Sequence, residues 1–333
     1  MVLILGIDTS CDETSAALVE DGTTILANIV SSQGIHLDYG GVVPELAARA
    51  HLTLLLPAVD AALQKARLRL TDIEGVAVTH GPGLIGSLLI GVSAAKAMAY
   101  VLRRPLVGVN HIEGHLFAGF LADPALEPPF VALIVSGGHT QLVHVRDRGA
   151  YDVIGRTRDD AAGEAFDKAA KMLGVGYPGG PIIDQLSETG DPAYVAFPRA
   201  YLDRASAEFS FSGLKNAVRV YLAGRSPDEV ARDLPHIAAS FQAAVVDVLV
   251  EKTINAARAL GLSRVLLTGG VACNRRLRGQ MTARAAEDGI GVTCPPPILC
   301  TDNGAMIAAA GYFHLSRGEA ASLTLTASPR ARL

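Results

Sequence analysis

The 333-residue chain has no tryptophan, few aromatic residues of any kind (5%) and little charge (19%), while 50% of it is apolar. Low charge with so much apolar material excludes a disordered chain, and the 34 glycines without a G-X-Y period exclude a collagen-like one. The four cysteines, Cys11, Cys273, Cys294 and Cys300, form no CxxC pair. They are too sparse for a disulfide scaffold and fit a reducing, cytoplasmic setting. Nor is there an excess of positive charge: 29 Lys and Arg stand against 33 Asp and Glu, a net charge of −4. No global basic field draws in nucleic acid, so such a partner must meet local patches or arrive with help. The opening MVLILGIDTS is apolar but lacks a basic leader and a small-residue cleavage site, and Asp8 ends the run too early for a signal peptide.

Several motifs are missing as well. There is no GxxxxGK[ST], no GxGxxG after a first strand and no GxSxG. These absences disfavour a P-loop NTPase, a standard Rossmann dehydrogenase and an α/β-hydrolase. The longest apolar stretch, residues 81–102, is long enough to cross a bilayer. It opens with Gly-Pro-Gly, carries Lys96 near its middle and is rich in small residues, so a packed helix and no membrane are expected.

What is present reads as α/β. Apolar runs and alternation predict strands at about 2–8, 15–20 and 24–30, then an amphipathic helix over 44–67 with Pro44 suited to its first turn. A buried strand (75–79), the turn HGPGLIGS, a helix to about Leu102, a short strand (106–109) and a helix bearing His111 and His115 follow. The pattern then restarts. Strands are expected at 130–135, 141–146 and 151–157, helices at 163–173, 212–221 and 228–260, and a buried strand at 265–268 before GGVACN and another helix. The last strong helix is expected to begin at Asp302, capped by its carboxylate. Each half opens with strand, Gly/Ser/Thr turn and returning strand, and later holds a buried strand entering a helix through a Gly pair. That order predicts about two domains built as a duplicated α/β unit. Backbone amides at such turns are natural anion cradles, so four of them together favour a phosphate-bearing ligand.

His111 and His115 are spaced i, i+4 and share a helix face, as two ligands of one metal ion would. The motif is HIEGH, not HExxH. Glu113 lies two residues on, about 200° around the helix, and cannot serve as a zincin base. A third ligand must come from elsewhere, and Asp302 in CTDNGAMIA is attractive, although a plain N-cap explains it equally well. Between Asp159 and Asp184 the chain is dense in acids and glycines. Asp159, Asp160, Glu164, Asp167 and Asp184 suit ribose hydroxyls or a metal, yet Glu164, Asp167, Lys168 and Lys171 also describe a solvated ion-paired face. The basic clusters are Lys65-Arg67-Arg69, Arg103-Arg104, Arg156-Arg158 and Arg275-Arg276-Arg278; most read as solvated helix ends, with one or two left to touch a phosphate backbone.

Nine motifs in order resemble one family. They are GIDTSCDETSAA, YGGVVPELAARAH, HGPGLIGSLLIG, NHIEGH, VSGGHTQL, DDAAGEAFDKAAKMLG with YPGGP, FSFSGLK, GGVACN and CTDNGAMIA. Together they are similar to the TsaD (Gcp/YgjD) family of tRNA N6-adenosine threonylcarbamoyltransferases; FPRA at Phe197, where FPRP is expected, is a minor departure. The resemblance implies a duplicated actin-like ATPase (ASKHA, RNase H-like) fold with two lobes and a central cleft, residues 1–128 plus 302–333 forming one lobe and 129–301 the other. It implies that His111, His115 and Asp302 hold a divalent metal, iron or zinc. By analogy the turns at Asp8-Thr9-Ser10 and Ser136-Gly137-Gly138 face phosphates, and Ile134, Val135, Asp167, Gly180, Asp184 and Asn274 line the site of an adenine nucleotide or acyl-adenylate.

The implied reaction moves threonylcarbamoyl from threonylcarbamoyl-AMP to N6 of the adenosine beside the anticodon, in tRNAs reading ANN codons, and releases AMP. Asp12 or Glu13, just after the first turn, is the candidate proton acceptor, with a turn or capping acid as the plainer reading. Implied partners are tRNA, a TsaB-like paralogue, a TsaE-like ATPase and a separate threonylcarbamoyl-AMP synthase (TsaC or Sua). Three other readings remain: an actin-like sugar or metabolite kinase, a metallopeptidase, and a non-catalytic nucleotide-binding scaffold. A His-His-Asp set suits iron or zinc better than the Mg²⁺ of a kinase. The missing HExxH opposes the peptidase, and the presence of all three candidate ligands opposes the scaffold.

Overall fold

Both halves of the chain open with an apolar strand that turns back on itself, and the computed structural model, which describes residues 1–200 and 206–333, repeats one plan twice. The first unit comprises Met1–Leu126 and Ile298–Leu333. Its elements are β1 (Leu3–Asp8), β2 (Glu13–Glu20), β3 (Thr24–Ser32), α1 (Pro44–Ala66), β4 (Gly75–Gly81), α2 (Ile85–Leu102), β5 (Leu106–Asn110) and α3 (His111–Ala122). The second unit, Glu127–Pro297, holds β6 (Phe130–Val135), β7 (Thr140–Asp147), β8 (Ala150–Arg156), α4 (Ala162–Leu173), α5 (Gly179–Leu186), α6 (Ser212–Ala223), α7 (Pro227–Ala259), β9 (Arg264–Thr268), α8 (Arg275–Ala286) and β10 (Gly291–Thr293). A short α9 (Pro297–Cys300) follows, and α10 (Gly304–Ser316) returns the chain to the first unit.

The sheet orders are β3-β2-β1-β4-β5 and β10-β9-β6-β7-β8. Read from the other end, the second order is the first one repeated, with an antiparallel hairpin and two parallel strands around each opening strand. In the first unit α1 and α2 pack on one sheet face, where Leu5, Ile7, Leu18, Leu55, Val59, Val78 and Val92 form the core. α10 lies against β1, β2, β4 and α3. A sheet covered on both faces needs apolar residues on both, which is why β1 reads as a continuous apolar run. A Cβ on Gly6 would stand 2.1 Å from the Gly304 carbonyl oxygen, so β1 and α10 meet backbone to backbone.

α1 and α2 are long and apolar enough to cross a membrane by length and composition. Both pack on the sheet and on each other, and Lys96 of α2 donates to the Leu325 carbonyl at 2.9 Å. One expectation needs correction. The last long helix starts at Gly304 and is capped by Asn303, whose side chain accepts from the Met306 amide at 3.0 Å. Asp302 is not the cap.

Candidate metal and nucleotide sites

In the first unit β1 runs parallel to β4, and β4 to β5, while β2 is antiparallel to β1. The end of β1, the start of β2 and the end of β5 therefore share one edge of the sheet. Asn110 closes β5 and caps α3, accepting from the Ile112 amide at 2.9 Å, so His111 is the first residue of that helix. His115 follows one turn later on the same face, its ring edge-on to that of His111 at a centroid distance of 4.8 Å.

Freed from capping, Asp302 brings Oδ1 to 3.5 Å from His111 Nε2 and 3.3 Å from His115 Nε2. The donor atoms of these three residues all lie within 4.8 Å of one another, a set able to hold a metal ion. The burial chemistry fits. His115 is 0% exposed, and neither of its ring nitrogens has a hydrogen-bond partner among the described residues. Two imidazoles and a carboxylate suit a transition metal, and three protein ligands leave positions open. Asp8 Oδ2 lies 3.4 Å from His111 Nδ1, where it orients the ring from behind. Burial opposes protonation of His111, but the Asp302 and Asp8 carboxylates outweigh it and raise its pKa to about 9.

Of the other first-unit candidates, Thr9 is buried with its hydroxyl donated to the Ser87 carbonyl at 2.8 Å. Ser10 donates its hydroxyl to Asp302 Oδ2 at 3.4 Å and its amide to Asp8 at 3.0 Å, which ties it to the His-His-Asp cluster. Asp12 and Glu13 continue from the same loop. Burial pushes the Glu13 carboxyl well above the usual range, with Asp302 and Asp12 adding to it. Burial also raises the Cys11 thiol, with Asp12 and Asp302 contributing. Crowded carboxylates of this kind are relieved by a cation.

The second unit brings together the remaining residues. Ile134 and Val135 end β6, and the turn Ser136-Gly137-Gly138 follows, closed by the Ser136 amide on the His139 carbonyl at 2.8 Å. A Cβ on Gly137 or Gly138 would meet open space, while the Gly137 backbone lies close against Gly163, where an added Cβ would stand 2.9 Å from the Gly137 nitrogen. Gly163 at the start of α4 donates its amide to the Ser136 carbonyl at 3.2 Å. Asp167 accepts from the Gly179 amide at 2.7 Å, joining α4 to the start of α5, and Gly180 beside it is open around its Cβ position. Asp184 is held by Gln242 at 2.7 Å and Arg275 at 2.8 Å. Asn274 caps α8 through Oδ1, accepting from the Leu277 amide at 2.9 Å, while its buried Nδ2 has no partner among the described residues.

Asp159 has structural partners, whereas Asp160 has one at Oδ1 and its buried Oδ2 has none among the described residues. Asp159 accepts from the Phe211 amide at 2.7 Å and the Ser212 amide at 3.3 Å, and Asp160 pairs with Lys168 at 2.7 Å. Lys168 also holds Glu164 at 2.7 Å, so the ion-paired face is present.

Sequence reasoning missed several groups. His51 of α1 is fully buried, 2.7 Å from Thr14 Oγ1 and 2.9 Å from the Cys11 carbonyl, tying α1 to the loop that carries Asp12. Glu113 meets His314 of α10 at 2.8 Å. Thr268 Oγ1 and Gln141 Nε2, flanking Ile134 in register, are buried and lack hydrogen-bond partners among the described residues. Only the polar character of these positions inside apolar strands and helices signalled them.

The profile of the TsaD family, tRNA N6-adenosine threonylcarbamoyltransferase, matches residues 24–309. A protein of that name from Symbiobacterium thermophilum is 53% identical over 330 residues, covering 98% of this chain and 96% of that one. Another, from Syntrophus aciditrophicus, is 50% identical over 330 residues, covering 99% and 97%. Among solved structures, component A of (R)-2-hydroxyglutaryl-CoA dehydratase from Acidaminococcus fermentans gives a TM-score of 0.58 at 16% identity, over 95% of this chain and all 100% of that one. HypF from T. kodakarensis gives 0.61 at 16% identity, over 95% of this chain and 48% of that one. These likenesses bear on the fold, which is the actin-like ATPase architecture.

Proposed function

This chain belongs to the TsaD family of tRNA N6-adenosine threonylcarbamoyltransferases, and from that premise we propose how its residues carry the transfer of a threonylcarbamoyl group from its adenylate to adenosine N6 in tRNA. The observation that carries the reading is end-to-end identity of about half with relatives of that name, in a chain that keeps a buried His-His-Asp cluster.

The donor is a mixed carbamic–phosphoric anhydride. The N6 lone pair attacks the carbamoyl carbon, the bond from that carbon to the phosphate oxygen breaks, and AMP leaves with the bonding pair. N6 is a weak nucleophile because its lone pair is delocalised into the purine, so position and carbonyl polarisation matter most. His111, His115 and Asp302 would hold a divalent metal, iron or zinc, which would supply Lewis-acid polarisation of the carbamoyl carbonyl. Asp8 and Ser10 fix the ligand orientation from behind. In the turn Ser136-Gly137-Gly138 the Gly137 and Gly138 amides receive the AMP phosphate, the Ser136 amide being donated to the His139 carbonyl, and Ile134, Val135, Asp167, Gly180, Asp184 and Asn274 line the nucleotide. The unpartnered Asn274 Nδ2 supports that assignment, since a buried donor without a partner costs about 1–3 kcal/mol unless a ligand completes it. Thr9 acts by fixing the first turn. Glu13, or Asp12 next to it, is the candidate acceptor of the N6 proton, both following directly on the first turn.

The names of the relatives favour this reaction over a kinase. The working system includes a TsaB-like paralogue, a TsaE-like ATPase and an upstream threonylcarbamoyl-AMP synthase, in the cytoplasm. The test is transfer of labelled threonylcarbamoyl from its adenylate to tRNA with those proteins supplied. Wild type is expected to label tRNA and His111→Ala to lose the label while AMP binding persists. An unlabelled tRNA with turnover of ATP or a sugar would overturn the reading.

A further inference from the structure

Four basic clusters stand out in this acidic chain, and their ion pairing and position separate them. In Arg275-Arg276-Arg278, Arg275 is held by Asp184 and Glu188, and Arg278 donates to the Ala272 and Pro295 carbonyls. Two of its three cations are thus committed inside the second unit. In Lys65-Arg67-Arg69, Arg69 pairs with Asp72 at 3.0 Å. This cluster leads through residues 70–72 into the start of β4, and Arg103-Arg104 leads into the start of β5. Both lie at the opposite edge of the first sheet from His111, which follows the end of β5. Five extended residues separate the two edges by about 17 Å.

The fourth cluster is placed differently. β7 returns antiparallel to β6 and β8 antiparallel to β7, so Arg156 stands in register with Gln141, and Gln141 with Ile134. Arg156 therefore lies at the same edge of the second sheet as the Ser136-Gly137-Gly138 turn. It is exposed, and among the described residues it has no acidic partner. The Arg156 carbonyl accepts from the Phe209 amide at 3.0 Å, and the Arg158 amide donates to the Phe209 carbonyl at 2.9 Å. Directly after Arg158, Asp159 takes up the Phe211 and Ser212 amides and sets the start of α6 against this edge. Lys215 follows within the first turn of α6, and Arg219 one turn later on the same face, about 6 Å along the axis. Lys215 has no acidic partner among the described residues, and Arg219 touches only the neutral Asn216 amide, at 2.9 Å.

The nearby acids are already engaged. Asp159 is saturated by Ser210, Phe211 and Ser212, Glu208 pairs with Arg158 at 3.3 Å, and Asp160 and Glu164 share Lys168. Neutral donors leave the Asp159 carboxylate charged, but Arg156, Lys215 and Arg219 have no ion-pair partner among the described residues and stand beside the nucleotide turn of their own unit.

We propose that Arg156, Lys215 and Arg219 form the surface that grips the phosphate backbone of the RNA substrate beside the Ser136-Gly137-Gly138 turn of the second unit. The proposal rests on the reading of the chain as a tRNA-modifying transferase. Phosphate contacts hold a nucleic acid in register without reading its bases, and an acidic protein can supply them only from a local patch. Placement at the nucleotide edge is what such register requires, because the target adenosine and its flanking phosphates must arrive together.

The experiment measures binding of an unmodified transcript of a tRNA reading an ANN codon by the metal-loaded enzyme with its partner proteins, across a salt series, alongside transfer kinetics. R156A/K215A/R219A is expected to bind more weakly, with the slope of log affinity against log salt smaller by about 1 for each cation removed. Its KM for tRNA rises while its KM for threonylcarbamoyl-AMP stays unchanged. The charge-keeping R156K/K215R/R219K retains the wild-type slope, and R103A/R104A leaves it unaltered. An unchanged slope and KM in the triple alanine variant, with wild type active, overturns the surface and leaves the transferase reading intact. A wild type that labels no tRNA overturns the reading beneath it.

Discussion

Asn303 caps α10 by accepting from the Met306 amide at 3.0 Å, and its neighbour Asp302 is thereby left to face His115 at 3.3 Å. Adjacent residues thus divide the work, one capping the helix and the other turning its carboxylate to the histidines. Asp302→Asn is expected to fold with near wild-type stability but to lose bound metal on dialysis, read by elemental analysis. Asn303→Ala is expected to cost about 1 kcal/mol through the lost cap, read by thermal unfolding of the metal-free protein. A large stability loss in Asp302→Asn would contradict this division.

His51 sits between Thr14 and the Cys11 carbonyl, at 2.7 and 2.9 Å. Burial lowers its pKa from 6.5, and the neutral ring donates from Nε2 and accepts at Nδ1. His51→Ala leaves both partners buried and unsatisfied, for about 1–3 kcal/mol, and slackens the loop bearing Asp12 and Glu13. A group with a depressed folded pKa stabilises above its unfolded value of 6.5, and that contribution is lost as pH falls below it. The gap in melting temperature between wild type and His51→Ala should therefore narrow under acid. A gap that stays constant with pH would sink the assignment.

His314 has the opposite sign. The hydrogen bond to Glu113 raises its pKa to about 9 against the cost of burial, with Glu319 assisting. Its stabilising effect is complete below 6.5 and disappears as pH rises through about 9. Because this contact ties α3 to α10, wild type should melt a few degrees above His314→Leu at pH 6, by about 1–2 kcal/mol, and match it near pH 10. Melting curves of both proteins across that range decide it.

Gly6 has no room for a methyl group, since its Cβ would stand 2.1 Å from the Gly304 carbonyl and 2.5 Å from the Ala308 amide. Gly6→Ala must push α10 off the sheet, costing about 3 kcal/mol or more. Denaturant unfolding should show the loss. Metal affinity should fall with it, because Asp302 precedes α10 by two residues.

Asp167 accepts from the Gly179 amide at 2.7 Å at the start of α5. Asp167→Asn keeps an acceptor there but removes the charge. AMP binding by calorimetry is expected to weaken several-fold with little change in melting temperature. Equal affinity in the two proteins would remove Asp167 from the nucleotide site.

Much of the fold was legible because local pattern and burial agree. The opening runs of the two halves, the i, i+4 histidines and the Gly pair before α8 each announce their element, and the repeated order announces the duplication. The misreading at Asp302 has a local cause: Asp and Asn are both good caps, and which one accepts from the helix amides depends on the backbone of each. The roles of His51 and His314 were illegible for a different reason. Their partners lie 37 residues away at Thr14 and 201 residues away at Glu113, and no periodicity spans such distances.

By itself the sequence determined the elements, the duplicated α/β plan and the family motifs, because helix and strand periods and turn residues act over a few positions. Tertiary structure alone decided which residue caps α10, which cations lack an ion-pair partner and which buried polar atoms lack partners. Each of those depends on distances between residues that only the packed sheets and helices bring together.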